Sequence, residues 1–237
     1  MPTSRDAASP RQRTGAAGGR GVPAVVDSDL ARWGLHVSDG VIIRTERLVL
    51  REFRPDDWEF VHEYAVDPEV SRYMPWGPNS EDETRAFIGR AMDGRKENPR
   101  LSFELAITLA ENDRLIGGGG IRADDENFRS ANMGYCLRSD AWGVGFGTES
   151  AVALISYGFE RLGVHRIWAT CDSENVRSAR VLEKSGMRLE GTRRDDTWVR
   201  ERWRSTHIFA ILETEWRSGS AQNTVRVDGL SSQEDDR

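Results

Sequence analysis

The 237-residue chain predicts an α+β fold: one mixed, mostly antiparallel sheet with helices on both faces. Three observations point there. Across residues 132–149, NMGYCLRSDAWGVGFGTE, the apolar spacing changes period. Met133, Tyr135 and Leu137 alternate with Gly134, Cys136 and Arg138 as in a half-buried strand, whereas Ala151, Leu154, Ile155, Gly158 and Phe159 recur at helical spacing. A second strand-to-helix unit follows, RIWATC at 166–171 and ENVRSARVLEKSG at 174–186, ending on its glycine. Upstream, LSFELAITL at 101–109 and RLIGGGGIR at 114–122 read as a hairpin turned at Glu111, Asn112 and Asp113.

The remaining elements follow in order. Residues 1–21 hold almost no large apolar side chain and read as a disordered tail. Residues 22–40 carry Val25, Val26, Leu30, Trp33 and Leu35, enough for a strap that docks on a domain spanning 41–216. Residues 41–53, VIIRTERLVLREF, form its first strand, and Pro55 opens a helix that Asp67 and Pro68 end. An aromatic loop, RYMPWGP at 72–78, leads to a helix over 80–96, where Ser80 and Glu83 have capping-box spacing. Four consecutive glycines in the hairpin, Gly117 to Gly120, imply a bulge or a close backbone approach. After the two strand-to-helix units, strands at 188–192 and 202–216 close the domain, joined by the charged run RRDDTWVRE; residues 217–237 read as a second disordered tail.

Composition narrows the class. With 38% hydrophobic and 30% charged residues the chain reads as a globular protein, and a net charge of -6 argues against nonspecific nucleic-acid binding, which needs a dense basic surface. Cys136 and Cys171 both fall in strands and form no metal-ligand spacing, which predicts buried thiols in a reducing cytoplasm and no metal. His36, His62 and His165 have no metal spacing either. No run of about 18 apolar residues suggests a membrane span, and no apolar core follows the N-terminal arginines as a secretory signal requires.

The glycines of WGVGFG strip side chains from a backbone that points several amides one way at a helix start, which suits phosphate. They could equally relieve crowding in a turn. No Lys-Ser/Thr follows, so the loop is not a Walker motif, and GxGxG is not the dinucleotide GxGxxG.

Together WGVGFGTES and ENVRSARVLEKSGM resemble motifs A and B of the GNAT acyltransferase superfamily, and the Trp-Gly-x-Gly-x-Gly-Thr-Glu form resembles its ribosomal-protein N-terminal acetyltransferase branch. The likeness covers residues 41–216. It implies the GNAT fold and acetyl-CoA as co-substrate, its pyrophosphate on backbone amides of Trp142, Gly143, Val144, Gly145, Phe146, Gly147 and Thr148. The family's usual Gln or Arg at the first position is Trp142 here, which shifts weight from a cationic side chain to the amides. The pantetheine arm would pair with backbone groups near Leu137 and Arg138 in a gap between splayed strands, and Asn175 matches the motif B asparagine; by residue type alone Asn175 could also simply cap its helix.

For the reaction, the resemblance implies an oxyanion held by a backbone N–H near Leu137 and a leaving thiolate protonated by Ser178, since Leu182 stands where many relatives carry a tyrosine. Many relatives also carry a base where Asn132 stands, leaving Glu104, Glu201, Asp196 and His207 as candidates. Tyr73 and Trp76 would lie beside the acceptor. The expected activity is direct acetyl transfer in a ternary complex to a primary amine, first the α-amino group of a protein N-terminus. A small amine such as a polyamine or aminoglycoside, and a sensor that binds acyl-CoA without turnover, stay open, as does the choice between monomer and homodimer.

Overall fold

A computed structural model describes residues 40–125, 127–219 and 226–228. The expected tail at 1–21, the strap up to residue 39 with His36, and most of 217–237 lie outside them. The strands are β1 (Ile42–Arg44), β2 (Leu48–Glu52), β3 (Ser102–Leu109), β4 (Leu115–Ala123), β5 (Ser130–Leu137), β6 (Arg166–Asp172), β7 (Arg188–Val199), β8 (Arg202–Leu212) and β9 (Arg226–Asp228). The helices are α1 (Asp57–Ala65), α2 (Pro68–Ser71), α3 (Glu81–Asp93), α4 (Phe146–Tyr157), α5 (Val176–Lys184) and α6 (Glu213–Ser218). The strands form one sheet in the order β7-β8-β6-β5-β4-β3-β2-β1-β9, antiparallel except where β5 meets β6.

Helices cover both faces. On one, Ala151, Leu154 and Ile155 of α4 join Leu50, Leu105, Ile121, Met133 and Ile167 from the strands in the larger core. On the other, Val61 and Tyr64 of α1 and Ile88 of α3 pack with Phe53, Ala106 and Leu115. Asp57 fixes the start of α1: its buried carboxylate accepts from Arg51 at 2.7 and 3.0 Å and from the Arg54 amide at 2.7 Å. At α3 both halves of the capping box form, Glu83 N–H to Ser80 Oγ at 3.3 Å and Ser80 N–H to Glu83 Oε2 at 2.7 Å. Ser80→Ala is expected to cost about 1 kcal/mol in urea denaturation; an unmoved midpoint would mean that packing alone holds this helix end.

Four boundaries differ from the sequence expectation. The stretch 41–53 is two antiparallel strands, because Thr45 turns the chain through a bond from the Leu48 amide to its Oγ1 at 3.0 Å. β7 extends through the charged run to Val199, where Arg200 and Glu201, with φ of 50° and 61°, make the left-handed two-residue turn of a tight hairpin. The exposed rings of Trp198 and Trp203, paired across it, stack edge to face at 5.3 Å. β8 stops at Leu212, where the Glu215 carboxylate accepts from the Leu212 amide at 3.1 Å and starts α6. Within the segment expected as a C-terminal tail, β9 is instead a strand, antiparallel to β1.

The glycine run does mark a close approach. A Cβ on Gly117 would lie 2.2 Å from the Cys136 carbonyl oxygen.

Candidate active site

β5 and β6 pair only at Ser130 with Arg166, Ala131 with Ile167 and Asn132 with Trp168. Both strands continue, to Leu137 and Asp172, without pairing further. Between the diverging ends lies a cleft of about 1150 Å³, lined by residues 133–137 on one side and 169–172 on the other. The glycine loop 142–148 and α5 border it, as do the segment 69–75 and the β7–β8 hairpin.

Which β5 groups face this gap follows from the register. The Arg138 amide donates to Ile116 O at 2.9 Å, so Arg138, Cys136 and Gly134 direct their backbone groups to β4. In the alternate set the Met133 N–H closes the last rung of the β5–β6 ladder, and Tyr135 and Leu137 point their backbone groups into the cleft. The Leu137 carbonyl is held by the Trp142 indole Nε1 at 2.9 Å, which leaves the Leu137 N–H aimed the same way. Arg138 departs from expectation: its amide serves β4, and its side chain pairs with Glu63 and Asp140.

Gly145, at φ 95°, caps α4 without a side-chain bond. The first intrahelical bond is Glu149 N–H to Gly145 O at 3.1 Å, so the amides of Phe146, Gly147 and Thr148 precede it and have no helical acceptor. Trp142, Gly143, Gly145, Gly147 and Thr148 line the cleft. Val144 is exposed and gives its carbonyl to Arg47 at 3.0 Å, while the Arg47 guanidinium lies 4.7 Å from the Phe146 ring centroid; these two residues anchor the loop from behind. Arg47 also pairs with Glu149 at 2.7 Å, offsetting the one acidic side chain in the first turn of α4.

A cation does stand beside this loop, although the motif position itself is Trp142. The Arg177 guanidinium lies 5.2 Å from the Trp142 ring centroid, and Arg177 and Arg180 both line the cleft. Sequence reasoning missed these and Arg47. The available signal was two arginines three apart on the first turns of α5, one helical face.

Asn175 lines the cleft and also caps α5, its Oδ1 accepting from the Ser178 amide at 3.1 Å. The cap reading therefore holds in the structure, and the Asn175 NH2 group stays available as a donor. Ser178 Oγ lies 3.3 Å from the Tyr135 hydroxyl across the gap. Burial pushes the Tyr135 phenol up to about 12, against a smaller opposing effect of the Ser178 bond. Tyr135 was read only as a strand residue; its meeting with Ser178 spans 43 positions and leaves no local trace. Burial likewise raises the thiols of Cys136 to about 12 and Cys171 to about 11, so neither is a ready thiolate.

The other candidates scatter. Tyr73 lines the cleft, whereas Trp76 packs against the smaller core. Leu182 is buried at the cleft wall with no proton to give, and Asn132 is partly buried with its amide toward Trp168 O at 3.4 Å. Glu201 is exposed in its turn, Asp196 accepts from Thr206 Oγ1 at 2.7 Å, and His207 Nδ1 shares a 2.7 Å bond with Thr192. Glu104 sits half-buried on β3, and burial raises its carboxyl above the ordinary value despite Ser102, Arg122 and Arg100. Among the described residues no group of three His, Cys, Asp or Glu side chains could hold a metal, and no helix is long and apolar enough to cross a membrane.

Arg200 latches the hairpin tip to the aromatic loop 72–78. Its guanidinium donates to the carbonyls of Met74 at 3.1 Å, Trp76 at 2.9 Å and Gly77 at 2.5 Å. Arg200→Ala is expected to raise the acceptor KM by about threefold to tenfold, through lost loop order, and to leave acetyl-CoA affinity within about twofold. Steady-state kinetics with each substrate varied separately checks this, and an unchanged acceptor KM would count against it.

Comparison with known proteins meets this geometry. Residues 47–188 match the family described as acetyltransferase (GNAT) domain. The chain is 33% identical over 174 residues to the uncharacterized N-acetyltransferase YnaD of Bacillus subtilis, covering 73% of this chain and 98% of the relative. It is 25% identical over 194 residues to the [ribosomal protein uS5]-alanine N-acetyltransferase of Escherichia coli, covering 76% and 94%. A GNAT-family acetyltransferase of Bacillus anthracis superposes with a TM-score of 0.65 at 33% identity, over 73% of this chain and 99% of that one. A sheet parted at its one parallel pair, a glycine-capped helix beside the gap and this likeness in sequence agree: the chain belongs to the GNAT acetyltransferase family and is an acetyl-CoA-dependent N-acetyltransferase.

Proposed function

We propose that the enzyme acetylates the α-amino group of a protein or peptide N-terminus by direct transfer. The observation that carries this reading is the charge balance at the acceptor end of the cleft. Of the three carboxylates that line the cleft, Asp172 is matched by Arg204 at 3.1 Å and Glu174 by Arg202 at 2.8 Å, leaving Glu69 alone without an ion pair among the described residues, while Arg72 and Arg193 also line it. A polyamine, with positive charges along its length and no hydrogen-bond acceptor when protonated, calls for unmatched carboxylates. A peptide offers one amine followed by alternating carbonyls and amides, which suits a wall of mixed charge. The likeness to an enzyme named for ribosomal-protein alanine supports the same choice.

In this reading the amides of Phe146, Gly147 and Thr148, with Arg177 beside them, hold the pyrophosphate of acetyl-CoA. The free backbone edge of β5 and Asn175 align the pantetheine arm, and Tyr73 borders the acceptor. The Leu137 N–H supports the oxyanion as the neutral amine attacks the thioester carbonyl. Ser178, backed by Tyr135, returns a proton to the leaving sulfur. No covalent acyl-enzyme is needed, and the raised thiols of Cys136 and Cys171 suit neither residue to form one.

A calorimetric titration with acetyl-CoA, then a thiol-release assay with short peptides of free N-terminal alanine, serine or methionine and with spermidine, tests the proposal. Faster release with a peptide is expected. Release with spermidine alone would replace the acceptor assignment.

A further inference from the structure

We infer that glycines of β4 and β5 keep open a corridor along which Glu104 accepts, through water, the proton of the acceptor ammonium. This rests on the transfer reading above and supplies the base that reading lacks.

The register sets the path. Glu104 pairs with Gly120, and Gly120 pairs in turn with Gly134, so the three share one face of the sheet. A Cβ on Gly120 would lie 2.7 Å from Glu104 Oε2, which places the carboxylate directly over that glycine. A Cβ on Gly134 would meet nothing within 4 Å, and Gly134 lines the cleft. Strands stand about 4.8 Å apart, so about two waters bridge the carboxylate to the cleft across this bare strip. The same face carries the smaller core, to which Val70 belongs, and Val70, Tyr73 and Met74 border the cleft at its acceptor end. Glu104 stands behind the wall and reaches it only over Gly120 and Gly134; Glu201, Asp196 and His207 also lie outside the wall, and of the carboxylates that line it Asp172 and Glu174 are tied to Arg204 and Arg202.

The surroundings suit a base that must be both charged and reactive. Arg100, Arg122 and the Ser102 hydroxyl act on Glu104 from the strand side and favour its carboxylate. Tyr64, in turn influenced by Asp57 and Cys136, faces it from α1, and burial raises the Glu104 carboxyl toward neutrality. In the step itself the ammonium proton passes through water to Glu104, and the freed nitrogen lone pair forms the C–N bond. As the C–S bond breaks the nitrogen gives its second proton to solvent, the sulfur takes the Ser178 proton that Tyr135 replaces, and solvent restores Glu104 and Tyr135.

The test uses the full chain with the best acceptor of the peptide and spermidine panel. Glu104→Gln is expected to lower kcat/KM about 100-fold at pH 7 and to recover as pH rises toward the amine's own pKa, where solvent deprotonates it. Glu104→Asp restores part of the rate, and Gly134→Val, which fills the corridor, reproduces the pH-dependent loss. All three keep the acetyl-CoA affinity of the parent. A Glu104→Gln profile that overlays the parent at every pH overturns the inference while leaving the acetyltransferase intact. If the parent turns over no acceptor of the panel, the acceptor reading fails instead. A high-resolution crystal structure with acetyl-CoA then decides the corridor independently: ordered water from Glu104 over Gly120 to Gly134 sustains it, and a dry or filled strip overturns it.

Discussion

Gly145→Glu is expected to weaken acetyl-CoA binding by about 100-fold in a protein that still folds. Three effects act together. The new carboxylate stands at the positive end of α4 where phosphate would bind, so it competes for the free amides of the first turn. A side chain at φ 95° strains the backbone by about 1–2 kcal/mol, enough to move the loop and too little to unfold a domain with this much core. Its Cβ would lie 3.3 Å from Arg47 Nη2, inviting a new ion pair at the expense of the link to Glu149. Gly145→Ala isolates the strain and should lose much less affinity. Calorimetric titration, with a thermal melt to confirm folding, checks both; undiminished binding in folded Gly145→Glu would remove the phosphate-loop assignment.

Ser178→Ala is expected to lower kcat by about 30- to 100-fold with acetyl-CoA affinity nearly unchanged, because a positioned proton donor acts on the leaving sulfur. Tyr135→Phe should lose less, since Ser178 can still exchange with water. If the two hydroxyls form one relay, the double variant should be hardly worse than Ser178→Ala alone. A phenol raised to about 12 stays protonated through the neutral range, so the relay should impose no alkaline limb below pH 9. Single-turnover rates across pH measure this, and full activity in Ser178→Ala would assign the proton to water.

Much of the architecture was readable from the order of periodicities. The change from alternation to helical spacing at 132–162 located the loop, the strand before it and the helix after it, because backbone chemistry there is local. Asn175 was readable as a helix cap for the same reason. The hairpin tip was not, since Arg200 and Glu201 adopt a conformation usually taken by Asn-Gly, and alternation is hard to see in a run as charged as RRDDTWVRE. The side chains that complete the site were hidden more deeply. Tyr135 meets Ser178, Arg47 meets Val144, and Glu104 comes to lie over Gly120 only once strands distant in sequence are set in register. Register is a property of the assembled sheet, and a one-residue slip would have turned each of these groups to the opposite face.

The three-residue ladder between β5 and β6 has a further consequence. It divides the sheet into two panels, β9 to β5 and β6 to β7, stitched at one end and bridged above by α4. A molecule lying along the unstitched length acts as a temporary strand and ties the panels together. By linkage, whatever binds there preferentially to the folded chain raises its melting temperature, and amide exchange should slow most at Tyr135 and Leu137. A co-substrate seated on this unfinished edge would make its own occupancy part of the protein's mechanical integrity.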